Sequence, residues 1–150
     1  MNICGFILAA GEGTRLRPAT LTRPKALVPF CGDPLLELAG SVLHEAGLEQ
    51  IIVNAHYQGD RVYEACQRLT AKHGWNISVS SEPMLLNQGG GLRQGIKLAP
   101  DTEHFLVHNV DIIVDYDLKD WDGLRADFVA YMAERYPGSE IALNIETEFV

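Results

Sequence analysis

Two arginines beside a pair of glycines, and a lysine enclosed by prolines, are the residues of this sequence best suited to phosphate chemistry. The arginines follow the glycines in Leu8-Ala-Ala-Gly-Glu-Gly-Thr-Arg-Leu-Arg-Pro18, and the lysine stands in Arg23-Pro-Lys25-Ala-Leu-Val-Pro29. Small residues let a backbone approach a ligand closely, glycines let successive N–H groups face an anion, and guanidinium groups match phosphate oxygens. The prolines reduce the entropy that is lost when the ammonium group is held in place. The two segments together favour a phosphate-binding loop.

The motif differs from two common phosphate-binding patterns. It lacks the Gly-Lys-Ser/Thr ending of a Walker A loop, and it does not match the dinucleotide GxGxxG fingerprint. Taken alone, the glycines are equally compatible with a plain turn carrying solvated arginines, and Lys25 with an ordinary surface lysine. The occurrence of both segments close together in the sequence favours the phosphate-binding interpretation.

The charge distribution restricts the possible partners. The 150 residues carry a formal charge of −8, and the excess of acids lies in residues 101–150, which hold 12 acids and 3 bases. Residues 1–32 instead hold four bases, Arg15, Arg17, Arg23 and Lys25, and one acid. An acidic chain is a poor binder of nucleic acid or of an anionic membrane surface, because both need a broad basic surface. A local cationic site on such a chain suits a single nucleotide.

The cysteines and the N-terminus favour a cytoplasmic setting. Cys4, Cys31 and Cys66 are odd in number and widely spaced, so neither a disulfide framework nor a Cys-x-x-Cys metal site is indicated. The apolar run near the N-terminus has no basic lead and is too short for a signal peptide or a membrane span. We therefore expect a reduced, cytoplasmic protein with no membrane partner.

Apolar runs alternate with helical patterns along the chain and predict a parallel α/β fold. The predicted strands are 3–9, 51–55, 75–80, 105–110 and 141–145, and the predicted helices are 35–46, 60–72, 92–98 and 122–136. Asp33 is expected to cap the first helix, with Pro34 in its first turn. Residues 10–34 form a long loop rich in glycine and proline, which is typical of a functional segment. No linker or internal repeat is visible, so a single domain over residues 1–150 is predicted.

Ligands of open parallel sheets bind beyond the carboxyl ends of the strands, near the point where the strand order reverses. The loop after Ala9, the segment 81–91 after the third strand and Asp111 after the fourth all lie at such ends. We expect these three segments to converge on one site. Asp111 also has a simpler interpretation, because an aspartate after a strand often only caps a turn.

The motifs resemble those of the sugar-1-phosphate nucleotidyltransferases, also called nucleoside-diphosphate-sugar pyrophosphorylases. The resemblance rests on LAAGEGTRLRP, RPKALVPF, EPMLLNQGGGL and HNVD, which occur in the family's order over about residues 3–119. Within the family, these motif sequences are most similar to those of bacterial N-acetylmuramate-1-phosphate uridylyltransferases and of mannose-1-phosphate guanylyltransferase-like proteins. The resemblance implies a Rossmann-like, doubly wound, mainly parallel sheet of the nucleotide-diphospho-sugar transferase type.

The resemblance also implies a reaction and roles for individual residues. A sugar 1-phosphate would attack the α-phosphorus of a nucleoside triphosphate, with UTP or GTP favoured, and release pyrophosphate with the help of Mg²⁺. The implied product is a nucleoside-diphosphate sugar of the kind used in cell-wall synthesis. Ala9, Ala10 and Gly11 would contact the base and ribose, Gly13, Thr14 and Arg15 the triphosphate, Lys25 the α-phosphate, Gln88 and Gly89 the base, and Asp111 the Mg²⁺ ion. Arg15 and Lys25 are the implied catalytic cations.

The chain departs from the family pattern in two places. Asn87 and Gln88 stand where the family commonly has an acidic residue and a threonine before the glycines, which leaves the choice of base and sugar open. After Lys119 the sequence no longer matches the family pattern. Residues 120–150 are therefore expected to form a divergent helix and strand, and the C-terminal part that binds the sugar in the family is expected to be shortened. His104 and His108 share a strand face, but a metal site there is the minor interpretation because no third soft ligand is evident.

Two other functions remain open from the sequence. One is a nucleotide-binding or regulatory module without turnover. The other is a phosphocholine cytidylyltransferase, since the N-terminal sequence of such enzymes is similar to that of this chain. The nucleobase, the sugar, the second metal ligand and the oligomeric state are not predicted by any motif.

Overall fold

The strands of the described residues form one four-stranded sheet and one small hairpin. The computed structural model describes residues 3–113 of the chain. Its strands are β1 (Ile3–Leu8), β2 (Pro29–Phe30), β3 (Asp33–Pro34), β4 (Gln50–Ala55), β5 (Asn76–Ser81) and β6 (His104–Asn109). The four longer strands are parallel in the order β5-β4-β1-β6, and β2 pairs with β3 as an antiparallel hairpin. The predicted parallel α/β fold is confirmed.

Within residues 3–113, three α-helices connect the strands of the sheet. They are α1 (Leu35–Glu45), α2 (Gly59–His73) and α3 (Asn87–Gly95). The prediction that Asp33 caps α1 was wrong. Asp33 pairs with Phe30 in the hairpin, and Pro34 takes the cap position without a side-chain hydrogen bond. Helix α3 begins at Asn87, before the three glycines, and a 3₁₀ turn at Ile96–Leu98 follows it, so the predicted helix over 92–98 was placed too late.

The strand order reverses beside β1. From β1 the chain goes to β4 and then outward to β5, before returning to the opposite side of β1 to form β6. Leu8 at the end of β1 lies in register with Asn54 of β4 and with Asn109 of β6. The carboxyl ends of these strands therefore meet at the reversal point, where open α/β sheets bind their ligands.

Both faces of the sheet are covered by apolar side chains. On one face α1 and α2 pack against residues such as Ile7, Ile51 and Val53, and Trp75 belongs to this core. A smaller cluster on the other face joins Phe6, Ile52 and Ala99. Strands buried on both faces read as continuous apolar runs, which is why their positions could be predicted closely.

The predicted helix over 122–136, the predicted strand over 141–145 and the whole of the divergent segment 120–150 lie outside the described residues. The described residues fall within one compact unit, residues 1–115. Among residues 3–113, no helix has the length and hydropathy that crossing a bilayer would require.

Candidate functional site

A pocket of about 630 Å³ opens at the carboxyl end of the sheet, where the strand order reverses. Its lining comes from segments far apart in sequence. These are residues 8–11 at the end of β1, Lys25, Asn54 of β4, Leu85, residues 87–89 at the start of α3, and residues 109–111 at the end of β6. The three segments that were expected to converge therefore share one pocket.

The loop after β1 is folded so that it holds Lys25 at the pocket. Gly13 adopts a φ of 62°, and a Cβ atom there would lie 2.9 Å from Cβ of Lys25, so the loop backbone passes directly against the lysine. The hydroxyl of buried Thr20 donates a hydrogen bond to the carbonyl of Gly13 at 2.8 Å. Lys25 begins a 3₁₀ turn whose next residue, Ala26, is fully buried. The base of the lysine side chain is thus fixed by packing.

The start of α2 anchors the same loop from the other side. The hydroxyl of Tyr57 donates to the carbonyl of Thr20 at 3.1 Å, and the Tyr57 N–H donates to the carbonyl of Ala10 at 3.4 Å. Arg61 also donates from its guanidinium to the carbonyl of Thr22. Together with the contacts around Gly13 and Ala26, these bonds reduce the freedom of the loop.

Lys25 and Asp111 form an ion pair at the pocket. Their Nζ and Oδ2 atoms are 2.5 Å apart, and the lysine side chain is 18% exposed against 39% for the aspartate. Partial burial acts to raise the pKa of Asp111. The hydrogen bond and charge of Lys25 lower it, as do a hydrogen bond from the backbone of Asp111 and the charge of Arg15, so this pKa lies below its ordinary value. Asp111 is therefore a carboxylate at neutral pH, with oxygens available to a cation.

The residues implied by the family resemblance fall into two groups. The pocket is lined by Ala9, Ala10, Gly11, Lys25, Gln88, Gly89 and Asp111. Gly13, Thr14 and Arg15 do not line it, because Thr14 and Arg15 lie in an exposed 3₁₀ turn and Gly13 packs behind Lys25. Arg15 acts on the site through its charge, which lowers the pKa of Asp111.

A buried pair that the sequence reasoning did not select lies against the pocket. Asn54 and Glu82 are 2% and 5% exposed, and the Asn54 amide donates to Oε1 of Glu82 at 2.7 Å. Asn54 is a polar residue inside the apolar run Gln50–Ala55, and this interruption was a usable signal for it. Glu82 occurs in the quoted motif, but no local pattern indicates its partner 28 residues away.

The two histidines of β6 have different environments. His104 is exposed at the start of the strand, whereas His108 is 7% exposed and neither ring nitrogen has a hydrogen-bond partner among the described residues. Burial lowers the pKa of His108, although the backbone at Asn109 and the charge of Asp111 oppose this. Within residues 3–113 no three histidine, cysteine, aspartate or glutamate side chains are grouped closely enough to bind a metal.

The reversed strand order and the small residues after β1 define a Rossmann-like α/β protein with a pocket at the place where such sheets bind their ligands. Comparison with known families identifies the family within this fold class. The family model described as nucleotidyl transferase matches residues 4–124, and the chain belongs to that family.

The relatives found by sequence comparison are sugar-phosphate enzymes. The chain is 37% identical over 117 residues to mannose-1-phosphate guanyltransferase 2 of Candida glabrata, an alignment covering 77% of this chain and 32% of the relative. It is 36% identical over 143 residues to the mannose-1-phosphate guanyltransferase of Saccharomyces cerevisiae, covering 95% of this chain and 38% of the relative. The chain thus spans about a third of the length of these relatives.

A solved structure shares the fold. The crystal structure of UDP-glucose pyrophosphorylase complexed with UDP-glucose superimposes with a TM-score of 0.66 at 25% identity, covering 85% of this chain and 54% of that one. The expected nucleotide-sugar transferase type of fold is confirmed.

Proposed function

We propose that this chain transfers a nucleoside monophosphate from a nucleoside triphosphate to a sugar 1-phosphate, giving a nucleoside-diphosphate sugar and pyrophosphate. The observation that carries the proposal is Lys25, whose ammonium group is held at the pocket between the turn after β1 and Asp111. Membership of the nucleotidyl transferase family and the names of the relatives support the same reaction. No relative reported above acts on phosphocholine by name, so that alternative is not favoured.

The chemistry needs positioning and positive charge. A phosphate oxygen of the sugar 1-phosphate forms a bond to the α-phosphorus while the bond from that phosphorus to the bridging oxygen of pyrophosphate breaks. Negative charge develops on the leaving pyrophosphate as this bond breaks, and fixed cations in a partly closed site lower the barrier to such a transfer. Lys25 is the cation that the pocket holds for the α-phosphate, and Arg15 adds positive charge at its margin.

Small residues in the turn after β1 and at the start of α3 suit the nucleoside. Ala9 and Ala10 are buried and small, and a Cβ atom at Gly11 or Gly89 would meet nothing within 4 Å. A flat base and its ribose can therefore approach the backbone closely on both sides. Gln88 and Gly89, at the start of α3, supply amide and backbone groups for recognition of the base. GTP and UTP are the nucleotides we propose, since the named relatives use guanylyl and uridylyl groups.

Magnesium fits the donor at this pocket. Mg²⁺ commonly takes one or two protein carboxylates together with substrate phosphates and waters, and Asp111 is an accessible carboxylate with a lowered pKa. Bound there with the nucleotide, Mg²⁺ would neutralise phosphate charge as the transfer proceeds. The proposed setting is the cytoplasm and the proposed use of the product is cell-wall synthesis. The free thiols of Cys4, Cys31 and Cys66 agree with a reducing compartment.

A screen for pyrophosphate release tests the proposal. The 150-residue chain is supplied with Mg²⁺, each common nucleoside triphosphate and a set of sugar 1-phosphates, beginning with GTP and mannose 1-phosphate. Release is expected with at least one pair, and it should depend on the sugar phosphate. Lys97→Ala, at an exposed position outside the pocket, is the matched control for Lys25→Ala. Absence of release with every pair would refute the proposed activity for this chain.

A further inference from the structure

The two walls of the pocket are joined by a chain of hydrogen bonds through Asn54, which lines the pocket, and Glu82. Oδ1 of Asn54 accepts a hydrogen bond from the Ala9 N–H at 2.7 Å, and its amide nitrogen donates to Oε1 of Glu82 at 2.7 Å. Oε2 of Glu82 accepts from the Leu86 N–H at 3.0 Å. The link therefore runs from the turn after β1 to the residue that precedes α3.

The direction of each hydrogen bond follows from the donors at the two ends. The Ala9 and Leu86 N–H groups can only donate, so an oxygen of Asn54 must face Ala9 and an oxygen of Glu82 must face Leu86. The Asn54 NH₂ group is then left to donate to the other carboxylate oxygen. Each of these groups has a partner, which matters because a buried polar group that loses its partner destabilises the fold.

The surrounding backbone leaves little room for another arrangement. A Cβ atom at Gly91 would lie 2.4 Å from Oε1 of Glu82 and 2.6 Å from the amide nitrogen of Asn54, so α3 touches the pair through a residue without a side chain. The Glu82 N–H also donates to the carbonyl of Ala55 at 2.8 Å, and the Glu82 carbonyl lies 2.9 Å from Nδ1 of His56. The pair is thus fixed to β4 as well as to both walls.

We propose that Asn54 and Glu82 are positioning residues that set the separation of the two pocket walls. This inference rests on the proposed function, because the walls that they join, residues 9–11 and 87–89, are those assigned to the nucleoside. Loss of one hydrogen bond would let the turn after β1 and the start of α3 move independently. The population competent to bind nucleotide would fall, and the apparent Kd would rise in proportion.

A polarity exchange tests the link. In Glu82→Gln the side chain has a single oxygen for two donors, and in Asn54→Asp two carboxylates face each other. The double variant Asn54→Asp/Glu82→Gln restores all three bonds. The carboxylate introduced at position 54 accepts from the Ala9 N–H and from the amide introduced at position 82, whose oxygen accepts from the Leu86 N–H. Each single variant should weaken nucleoside triphosphate binding by about tenfold, and the double variant should recover most of this loss.

Amide hydrogen exchange reads the same link without any nucleotide. The Ala9 and Leu86 amides should exchange faster in each single variant than in the wild type, and protection should return in the double variant. If the wild type binds no nucleoside triphosphate, the proposed function fails, yet the exchange rates still report whether the link holds the walls. A double variant that exchanges as fast as the single variants, or single variants that exchange at the wild-type rate, would overturn the inference.

A matched control separates positioning from general loss of stability. Glu37 is a second buried glutamate, 9% exposed, which lies outside the pocket and hydrogen-bonds to Lys72 and His73. Glu37→Gln should reduce the melting temperature and leave the nucleotide Kd and the exchange of Ala9 and Leu86 unchanged. If Glu37→Gln raised the Kd as much as Glu82→Gln did, the effect of Glu82 would be general destabilisation and the inference would be wrong.

Discussion

The two glutamates that are buried within residues 3–113 have opposite kinds of partners. Oε1 of Glu37 on α1 accepts from Nζ of Lys72 and faces Nε2 of His73, each at 2.7 Å, at the end of α2. The side chain of Glu82 accepts only from neutral groups, the amide of Asn54 and the N–H of Leu86, among the described residues. The first region joins two helices on one face of the sheet, and the second joins two walls of a pocket.

The difference shows how the partner of a carboxylate determines its use. A long lysine side chain can follow a carboxylate as the helices shift, so the Glu37 cluster ties α1 to α2 without fixing a distance closely. Backbone N–H groups and a buried amide are held by the fold, so Glu82 constrains the main chain directly. The region around Glu37 is therefore expected to govern stability, and the pocket region to govern binding and turnover.

The largest contrast is expected between two lysines that each pair with a carboxylate. Lys25 lies 2.5 Å from Asp111 at the pocket, and Lys72 lies 2.7 Å from Glu37 between the helices. Lys25→Ala should reduce turnover by about a hundredfold or more, because it removes the cation assigned to the α-phosphate. Lys72→Ala should leave turnover close to wild type.

Asp111→Ala is expected to reduce turnover by a similar factor at fixed Mg²⁺, with the fold intact by circular dichroism. Steady-state pyrophosphate release measures all three variants. Wild-type rates in both pocket variants would remove the basis for the site, and an equal loss in Lys72→Ala would erase the contrast between the regions.

Two glycines provide the next contrast. A Cβ atom at Gly91 would collide with Glu82 and Asn54, and one at Gly40 would lie 2.6 Å from the Trp75 ring, which packs in the helical region. Each alanine should lower the free energy of unfolding by about 1–3 kcal/mol through overpacking. Gly91→Ala should also raise the nucleotide Kd, whereas Gly40→Ala should not. Chemical denaturation and calorimetry on both proteins make the comparison, which fails if the two variants bind nucleotide equally well.

A smaller effect is expected when the pH is lowered, through the contribution of Glu37 to the free energy of unfolding. The hydrogen bond from Lys72 lowers the pKa of Glu37; burial opposes this, and His73 and the charge of Lys72 add to the lowering. Because the folded pKa lies below the unfolded one, this stabilisation is complete above the unfolded value and is lost as the pH falls through the folded value. Wild type should therefore lose more unfolding free energy than Glu37→Gln between neutral pH and the acid range. Denaturation experiments at each pH measure this, and an equal loss in the two proteins would contradict it.

The smallest effect is expected at Arg17. Its guanidinium lies 3.5 Å from Glu12 with both side chains about half exposed, and exposed ion pairs of this kind contribute about 0–1 kcal/mol. Arg17→Ala should leave the free energy of unfolding within error of wild type, and turnover should change far less than in Lys25→Ala. A large loss of turnover in Arg17→Ala would contradict this and would indicate that the triphosphate binds along the exposed part of the loop.

Local patterns were sufficient for the sheet and insufficient for the connections. Strands such as Ile3–Leu8 were predicted closely, because buried parallel strands leave nearly continuous apolar runs. Helix α3 was placed too late because its glycines normally oppose helices. Gly91 and Gly95 are accommodated because a Cβ atom at either would meet Glu82 or Phe6, so tertiary packing overrides the local preference.

The site shows the same division. Lys25 and Asp111 could be selected because their motifs are contiguous in sequence, and the structure brings both to one pocket. The bond between Asn54 and Glu82 joins residues from two different strand ends and leaves no periodic pattern. The contribution of Thr20 and Tyr57, which hold the loop behind Lys25, likewise depends on contacts that only the folded chain creates.

A calorimetric titration of the 150-residue chain with Mg²⁺-GTP and Mg²⁺-UTP tests the central claim, that the pocket beside Lys25 binds a nucleoside triphosphate. We predict saturable binding of at least one of them by the wild type and by Lys97→Ala, and binding about tenfold weaker or worse by Lys25→Ala. Equal binding by Lys25→Ala and wild type, or no binding of any nucleoside triphosphate by the wild type, would contradict this claim.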